Sequence, residues 1–225
     1  MEFFRNLWKN KGLKNFLILF FLFVVTGGIL VLVLKHGDIV LLVNKYSRLS
    51  WDSSVNLITY LGLGGVLVVV FLLLGFYQLR WTLMGLINLA LVGLFTGVLK
   101  HLFKANHPRP FFYFSYDDFH RFIYSADLNY YSSFPSGHTM AAFASMSMLA
   151  YLAGRKMLGI VFFFVALLIG FSRIYLCQHF LLDVYFGAIL GMTSTIITVW
   201  IGDHLLNLGY RRAFQQSFVE FFRPR

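Results

Sequence analysis

Residues 81–110 read WTLMGLINLALVGLFTGVLKHLFKANHPRP, and this stretch decides the fold. Its first 19 residues carry no charge. At 1.5 Å per residue, a helix of about that length matches the hydrocarbon core of a bilayer, roughly 30 Å thick. The run then gives way to Lys100, His101, Lys104, His107 and Arg109, with a proline on each side of the arginine. A membrane helix that ends in so dense a polar cluster points to a functional site at one membrane face.

Working outward, further uncharged runs cover residues 15–34, 53–79, 139–154, 157–172 and 184–202. The runs at 139–154 and 157–172 reach span length only if a polar residue at an end joins the helix. The resulting expectation is an all-α fold: a six-transmembrane-helix bundle in one domain, residues 1–225, with one long non-cytoplasmic loop between helices 3 and 4. That loop, from residue 100 to about 135, holds Phe111, Phe112, Tyr113, Phe114 and Tyr116. The run at 15–34 is longer than a signal-peptide core and lacks a small-residue cleavage site, so it is read as a retained span.

Composition agrees. The 225 residues are 59% hydrophobic and 12% charged, with 27 Phe and a mean hydropathy of +0.73. These values exclude a soluble globular domain and a disordered chain. A single cysteine, Cys177, excludes an internal disulfide and a multi-cysteine metal site. The net charge of +10 is assigned to membrane orientation and anionic headgroups, with no nucleic-acid partner. Six spans place 11 of the 19 Lys and Arg on the side of the termini, so the termini are expected to be cytoplasmic. All four tryptophans lie near span ends, where an interfacial aromatic belt would hold them.

Three polar clusters then open on the opposite face: residues 100–110, the Pro135-Ser136-Gly137-His138 stretch, and Ser172-Arg173 followed by His179 and Asp183. Their shared parity implies one site. Arg109, Arg173 and a lysine are cationic donors suited to phosphate oxygens. Ser136, Gly137 and His138 fall at a helix start, where amide N–H groups and the helix dipole favour an anion. His179 and Asp183, four residues apart, share a helical face, so the carboxylate can fix the imidazole tautomer and leave the far nitrogen as a nucleophile. His138 is then placed to protonate the leaving group. With no carboxylate cluster, neither metal nor other cofactor is expected.

These clusters resemble the type 2 phosphatidic acid phosphatase (PAP2) family. The P-S-G-H and S-R-x5-H-x3-D signatures fit at 135–138 and 172–183. The resemblance implies a six-helix membrane phosphatase in which His179 forms a phosphohistidine, Asp183 orients it and His138 is the general acid. It also implies that Lys100, Arg109, Ser136, Gly137 and Arg173 hold the phosphate. The first signature departs from the family form K-x6-R-P: eight residues separate Lys100 from Arg109, and four separate Lys104 from it. Lys100 is the preferred phosphate ligand and Lys104 the alternative.

The implied partners are the bilayer and a phosphorylated lipid: undecaprenyl pyrophosphate, phosphatidylglycerol phosphate, phosphatidic acid or a lipid A phosphate. The expected location is a bacterial inner membrane, with the site facing the periplasm or exterior. Transfer of the phosphate to a second lipid instead of water is the alternative reaction. His36, His101, His107, His120 and His204 are read as interfacial residues, Cys177 as an apolar filler, and the loop aromatics as either a grip for lipid chains or an interfacial belt.

Overall fold

The computed structural model describes residues 2–103, 107–123 and 131–223. In chain order its helices are α1 (Glu2–Lys9), α2 (Lys11–Val33), α3 (Asp38–Lys45), α4 (Leu49–Tyr60), α5 (Gly64–Leu74), α6 (Leu79–Phe103), α7 (Pro110–Tyr113), α8 (Gly137–Ala153), α9 (Lys156–Tyr175), α10 (Leu181–Trp200) and α11 (Phe218–Phe221). A π-helical turn, Ile201–Leu205, continues α10. Among the described residues there is no strand.

The bundle is built around α8. Its residues from Thr139 to Ala150 are all buried, and α2, α6, α9 and α10 surround it. The sequence of α8, GHTMAAFASMSMLAYLA, is rich in small residues that let neighbouring backbones approach. At the crossing with α10, a Cβ on Gly191 would lie 2.4 Å from the Met140 carbonyl oxygen, and one on Gly187 would lie 2.8 Å from that of Ser136. Only glycine fits there. The buried interior also carries polar links: Asn88 donates to the Ala144 carbonyl at 2.8 Å and to Thr195 Oγ1 at 3.2 Å, tying α6, α8 and α10 together. The outward faces are apolar, with Phe21, Leu32, Leu57 and Leu94 all exposed, the reverse of a soluble domain and the arrangement expected of lipid-facing helices.

Among the described residues, four helices are long and apolar enough to cross a membrane: Lys11–Val33, Leu79–Phe103, Lys156–Tyr175 and Leu181–Leu205. Helices α4 and α5 together make a fifth candidate. The sequence reading took residues 53–79 as one continuous span; the chain instead breaks between Tyr60 and Gly64 and bends by 54°. The break falls on Leu61-Gly62-Leu63-Gly64. It is fitted to its surroundings, because a Cβ on Gly62 would come within 2.6 Å of Ile169 Cγ2 and 3.2 Å of the His138 carbonyl oxygen. Central α8, at 17 residues, is shorter than these spans.

The described part of the long loop folds back over the end of the bundle. Phe111, Phe114 and Phe119 pack against a core of Val40, Ile123, Ile174, Tyr175, Leu176, Cys177, Phe180 and Val184, whereas Phe112, Tyr113 and Tyr116 are exposed. Asp118 accepts from the Ser115 amide at 2.8 Å in a capping box. The loop is held to α4 by an Arg121–Asp52 ion pair, with Arg121 Nε donating to Ser47 Oγ at 3.0 Å. That carboxylate holds the Arg121 guanidinium above its usual pKa.

Candidate active site

Between Arg173 and His179 the chain leaves α9 after Tyr175 in a tight turn hung on the arginine's own carbonyl. The Arg173 oxygen accepts from the Gln178 amide at 2.9 Å and the His179 amide at 3.2 Å. Cys177, at φ +52°, takes the left-handed conformation that closes the turn. The spacing of the third cluster therefore fixes a cation and an imidazole side by side, and both are buried.

Asp183, in the first turn of α10, faces that imidazole. Its Oδ2 lies 3.5 Å from His179 Nδ1, and it accepts from the Phe180 amide at 2.9 Å and from Ser133 Oγ at 2.5 Å. Ser133 Oγ also lies 3.5 Å from His179 Nδ1. Sequence reasoning missed Ser133. It lies outside the P-S-G-H signature, and its one signal was a hydroxyl two residues before that stretch. With Nδ1 facing the carboxylate, Nε2 is the nitrogen turned away from it. Burial, reinforced by the charges of Arg109 and Arg173 and opposed by Asp183, pushes the His179 pKa down to about 3. The ring is neutral at physiological pH and keeps a lone pair.

Main-chain hydrogen bonds join the clusters. The Ser136 amide donates to the Asp183 carbonyl at 3.1 Å, and the Ser133 amide to the His107 carbonyl at 3.0 Å. Ser136 is the N-cap of α8; its Oγ accepts from the Thr139 amide at 3.4 Å and from Thr139 Oγ1 at 2.9 Å. Gly137 and His138 follow in the first turn, at the positive end of the helix dipole. His138 interacts electrostatically with Arg173, His179, Lys100 and Arg109.

Lys100, in the last turn of α6, is half-buried and interacts with the charges of Arg109, Arg173 and Asp183. Lys104, the alternative ligand, lies outside the described residues. Arg109 Nη1 donates to Gln178 Oε1 at 2.5 Å, and Arg173 Nη1 to Thr59 Oγ1 at 2.7 Å. All the site residues expected from sequence are thus brought to one end of the bundle. Two histidines set aside as interfacial also lie near it: His36 stacks on Phe180 with ring centroids 4.0 Å apart and interacts electrostatically with Asp183 and His107. Beside them a cavity of about 160 Å³, lined by Leu30, Leu34, Lys35, His36, Phe180 and Leu181, runs between α2 and α10.

Cys177 is buried, and burial pushes its thiol up to about 12, so it is held protonated as a filler. Among the described residues, no group of three His, Cys, Asp or Glu side chains is placed to hold a metal ion.

A buried imidazole–carboxylate pair, a second histidine at a helix start and cations from three segments thus lie together at one end of a bundle of helices apolar enough to cross a membrane. The sequence profile of the PAP2 superfamily matches residues 81–205, and the chain belongs to that superfamily. Among its relatives is phosphatidylglycerophosphatase B of Bacillus subtilis, 31% identical over 151 residues that make up 60% of this chain and 67% of the relative. The crystal structure of Aquifex aeolicus LpxE superposes with a TM-score of 0.65 at 27% identity, covering 73% of this chain and 94% of that one. A transmembrane PAP2-type phosphatidylglycerolphosphate phosphatase from Bacillus subtilis shares the fold, with a TM-score of 0.59 at 24% identity over 91% of this chain and 98% of that one. With these relatives, the chain is a membrane phosphatase.

Proposed function

We propose that this chain hydrolyses a phosphomonoester or diphosphate of a membrane lipid at the outer membrane face, through a phosphohistidine on His179. The observation that carries the reading is the buried His179–Asp183 pair, set within the electrostatic reach of His138 and two arginines.

In the first step the Nε2 lone pair of His179 attacks phosphorus in line, and the bond from phosphorus to the leaving oxygen breaks. His138 gives that oxygen a proton. Asp183 holds the Nδ1 proton and offsets the positive charge that develops on the ring, while Ser133 and the Phe180 amide fix the carboxylate. Lys100, Arg109 and Arg173, the Gly137 amide and the Ser136 hydroxyl hold the phosphoryl oxygens and stabilise their charge. In the second step water attacks the phosphohistidine, His138 takes its proton, and orthophosphate leaves with the original imidazole restored. No metal takes part.

The same reading makes residues 1–225 a single domain whose α4–α5 pair and α8 complete six spans, with cytoplasmic termini in a bacterial inner membrane. The substrate is one of phosphatidylglycerol phosphate, undecaprenyl pyrophosphate, phosphatidic acid and a lipid A phosphate. Likeness to a phosphatidylglycerophosphatase favours the first. The test compares phosphate release from these four lipids by purified protein in EDTA. Release from at least one, abolished in His179→Ala, is expected. Activity that vanishes in EDTA and returns with magnesium would contradict the metal-independent mechanism, and labelled acceptor lipid without orthophosphate would make the chain a phosphotransferase.

A further inference from the structure

The end of the bundle that carries α1 and α11 holds a second set of polar side chains. Arg80 lies in the first turn of α6, Tyr151 near the end of α8, and Asp203 in the π-helical turn that continues α10. Lys100, His138 and Asp183 sit at the opposite ends of the same three helices. At 1.5 Å per residue, the stretch of α6 from Arg80 to Lys100 is about 30 Å long, so the two clusters are far apart.

Arg80 Nη2 donates to Asp203 Oδ1 at 2.8 Å and to the Tyr151 hydroxyl at 3.3 Å, and Tyr151 donates in turn to Asp203. The carboxylate is thereby held and its charge offset. The protein does not exhaust the guanidinium, because its Nε is buried with no hydrogen-bond partner among the described residues. These three side chains line a cavity of about 510 Å³ with Asn6 of α1 and with Asn207 and Tyr210 beyond the π-helical turn. Such turns recur at functional sites.

Leu7 and Val199 also line this cavity, and through them it adjoins an apolar space. Leu7 is shared with a groove of about 650 Å³ lined by Trp8, Leu17, Phe20, Phe21 and Ile196. Ile196 at the groove and Val199 at the cavity are one turn apart on the same face of α10. Phe21 is exposed on the lipid-facing side of α2. A polar recess that opens beside an apolar trough fits an amphiphile, with its headgroup in one and its chain in the other. The charge around the recess is basic: exposed Lys9 is one turn from Asn6 on α1, and exposed Arg211 and Arg212 follow Tyr210 directly. Asp203, the carboxylate that lines it, is already paired with Arg80. Basic residues beside a membrane surface attract anionic headgroups.

We propose that this end of the bundle binds one phospholipid with an anionic phosphodiester headgroup, its phosphate in the cavity beside Arg80 and a chain in the groove beyond Leu7. The site is separate from the phosphoryl chemistry at the other end and does not depend on it. Its headgroup half is built from α1, α6, α8 and the end of α10, so it exists only in the folded chain and its occupancy stabilises the fold.

The test places the purified full chain in phosphatidylcholine vesicles that contain a minor fraction of either phosphatidylglycerol or phosphatidylcholine with brominated chains. Quenching of Trp8 fluorescence, taken as the difference between the wild type and Trp8→Phe, reports occupancy of the groove. The expected result is enrichment of phosphatidylglycerol over phosphatidylcholine at Trp8 by about fivefold or more, as one favourable basic contact at a membrane surface would give. Tyr210→Asp adds a carboxylate at an exposed residue of the cavity, and Gly209→Phe places a ring where a Cβ meets the Arg80 guanidinium at an ordinary 3.8 Å. Both are expected to abolish the enrichment. Val219→Asp, exposed on α11 outside the cavity, is expected to keep it. The proposal is overturned if the wild type shows no preference between the two lipids, if Tyr210→Asp retains the enrichment to within twofold, or if Val219→Asp loses it as fully as Tyr210→Asp. Relief of the quenching by free glycerol 3-phosphate as readily as by unlabelled phosphatidylglycerol would make the occupant a soluble phosphate compound and also overturn it. Should Gly209→Phe fail to fold, Tyr210→Asp decides alone.

Discussion

The amide of Ser136 donates to the carbonyl of Asp183 at 3.1 Å, joining the first residues of α8 to those of α10. Through this bond the helix start that presents His138 and the carboxylate that faces His179 cannot shift independently. Gly187, one turn further along α10, lets the two backbones come close enough to form it. The geometry of the proposed catalytic site is thus a property of one helix crossing, and changes at that crossing are expected to reach the chemistry.

Ser133 and Asp183 act in series on His179. Asp183→Asn keeps the size of the group but favours the wrong imidazole tautomer, and is expected to lower kcat by about two to four orders of magnitude. Ser133→Ala removes one hydrogen bond to the carboxylate and is expected to lower kcat by about tenfold with KM little changed. Steady-state kinetics on the two variants checks both, and equal losses would contradict the ordering.

Stability in acid follows from the depressed pKa of His179. In the unfolded chain an imidazole takes up a proton near pH 6.5, whereas the folded group resists protonation down to about 3. The unfolded state therefore binds more protons in that window, so the contribution favouring the fold is full above about pH 6.5 and is lost as pH falls toward 3. The burial-lowered pKa of His36 acts in the same direction. Unfolding temperatures measured from pH 7 to pH 4 should fall less steeply for His179→Gln than for the wild type.

The Arg121–Asp52 pair, with Tyr175 donating to Asp52 at 2.8 Å, anchors the loop to α4 and α9. Asp52→Asn is expected to lower stability by about 1–2 kcal/mol while kcat stays within about threefold of the wild type. Thermal unfolding and kinetics on the same preparation test this, and a large loss of kcat would place the pair in the chemistry.

Two glycines give opposite expectations. A Cβ at Gly191 would meet the Met140 carbonyl oxygen at 2.4 Å, and backbone there cannot give way without moving the α8–α10 crossing; Gly64 has nothing within 4 Å. Gly191→Ala is expected to destabilise by about 2 kcal/mol or more, and Gly64→Ala to be neutral or slightly stabilising. Unfolding temperatures in detergent separate the two.

The charged residues of this molecule were legible in the sequence, and most of the neutral residues that support them were not. Lys100, Arg109, His138, Arg173, His179 and Asp183 stand out because ionisable residues are scarce in so apolar a chain, and the parity of the uncharged runs placed their clusters at one end. The bend at residues 61–63 did not stand out, since no charge interrupts residues 53–79 and the break depends on what Gly62 touches in α8 and α9. Thr59, Ser133 and Gln178 escaped notice for a related reason. Hydroxyls and amides are common, and only the fold sets them against a guanidinium or a carboxylate. His36 and His107 were read singly, and it is the return of the chain at Phe180 and Phe134 that brings their rings to the site.

The central claim is tested most directly by rapid quenching with a lipid substrate labelled on the phosphorus that is transferred. A label that survives alkali, is lost in acid and maps to the peptide containing His179 is the predicted result, with none in His179→Ala. Phosphate release by His179→Ala at the wild-type rate, or label found on another residue, would contradict the account.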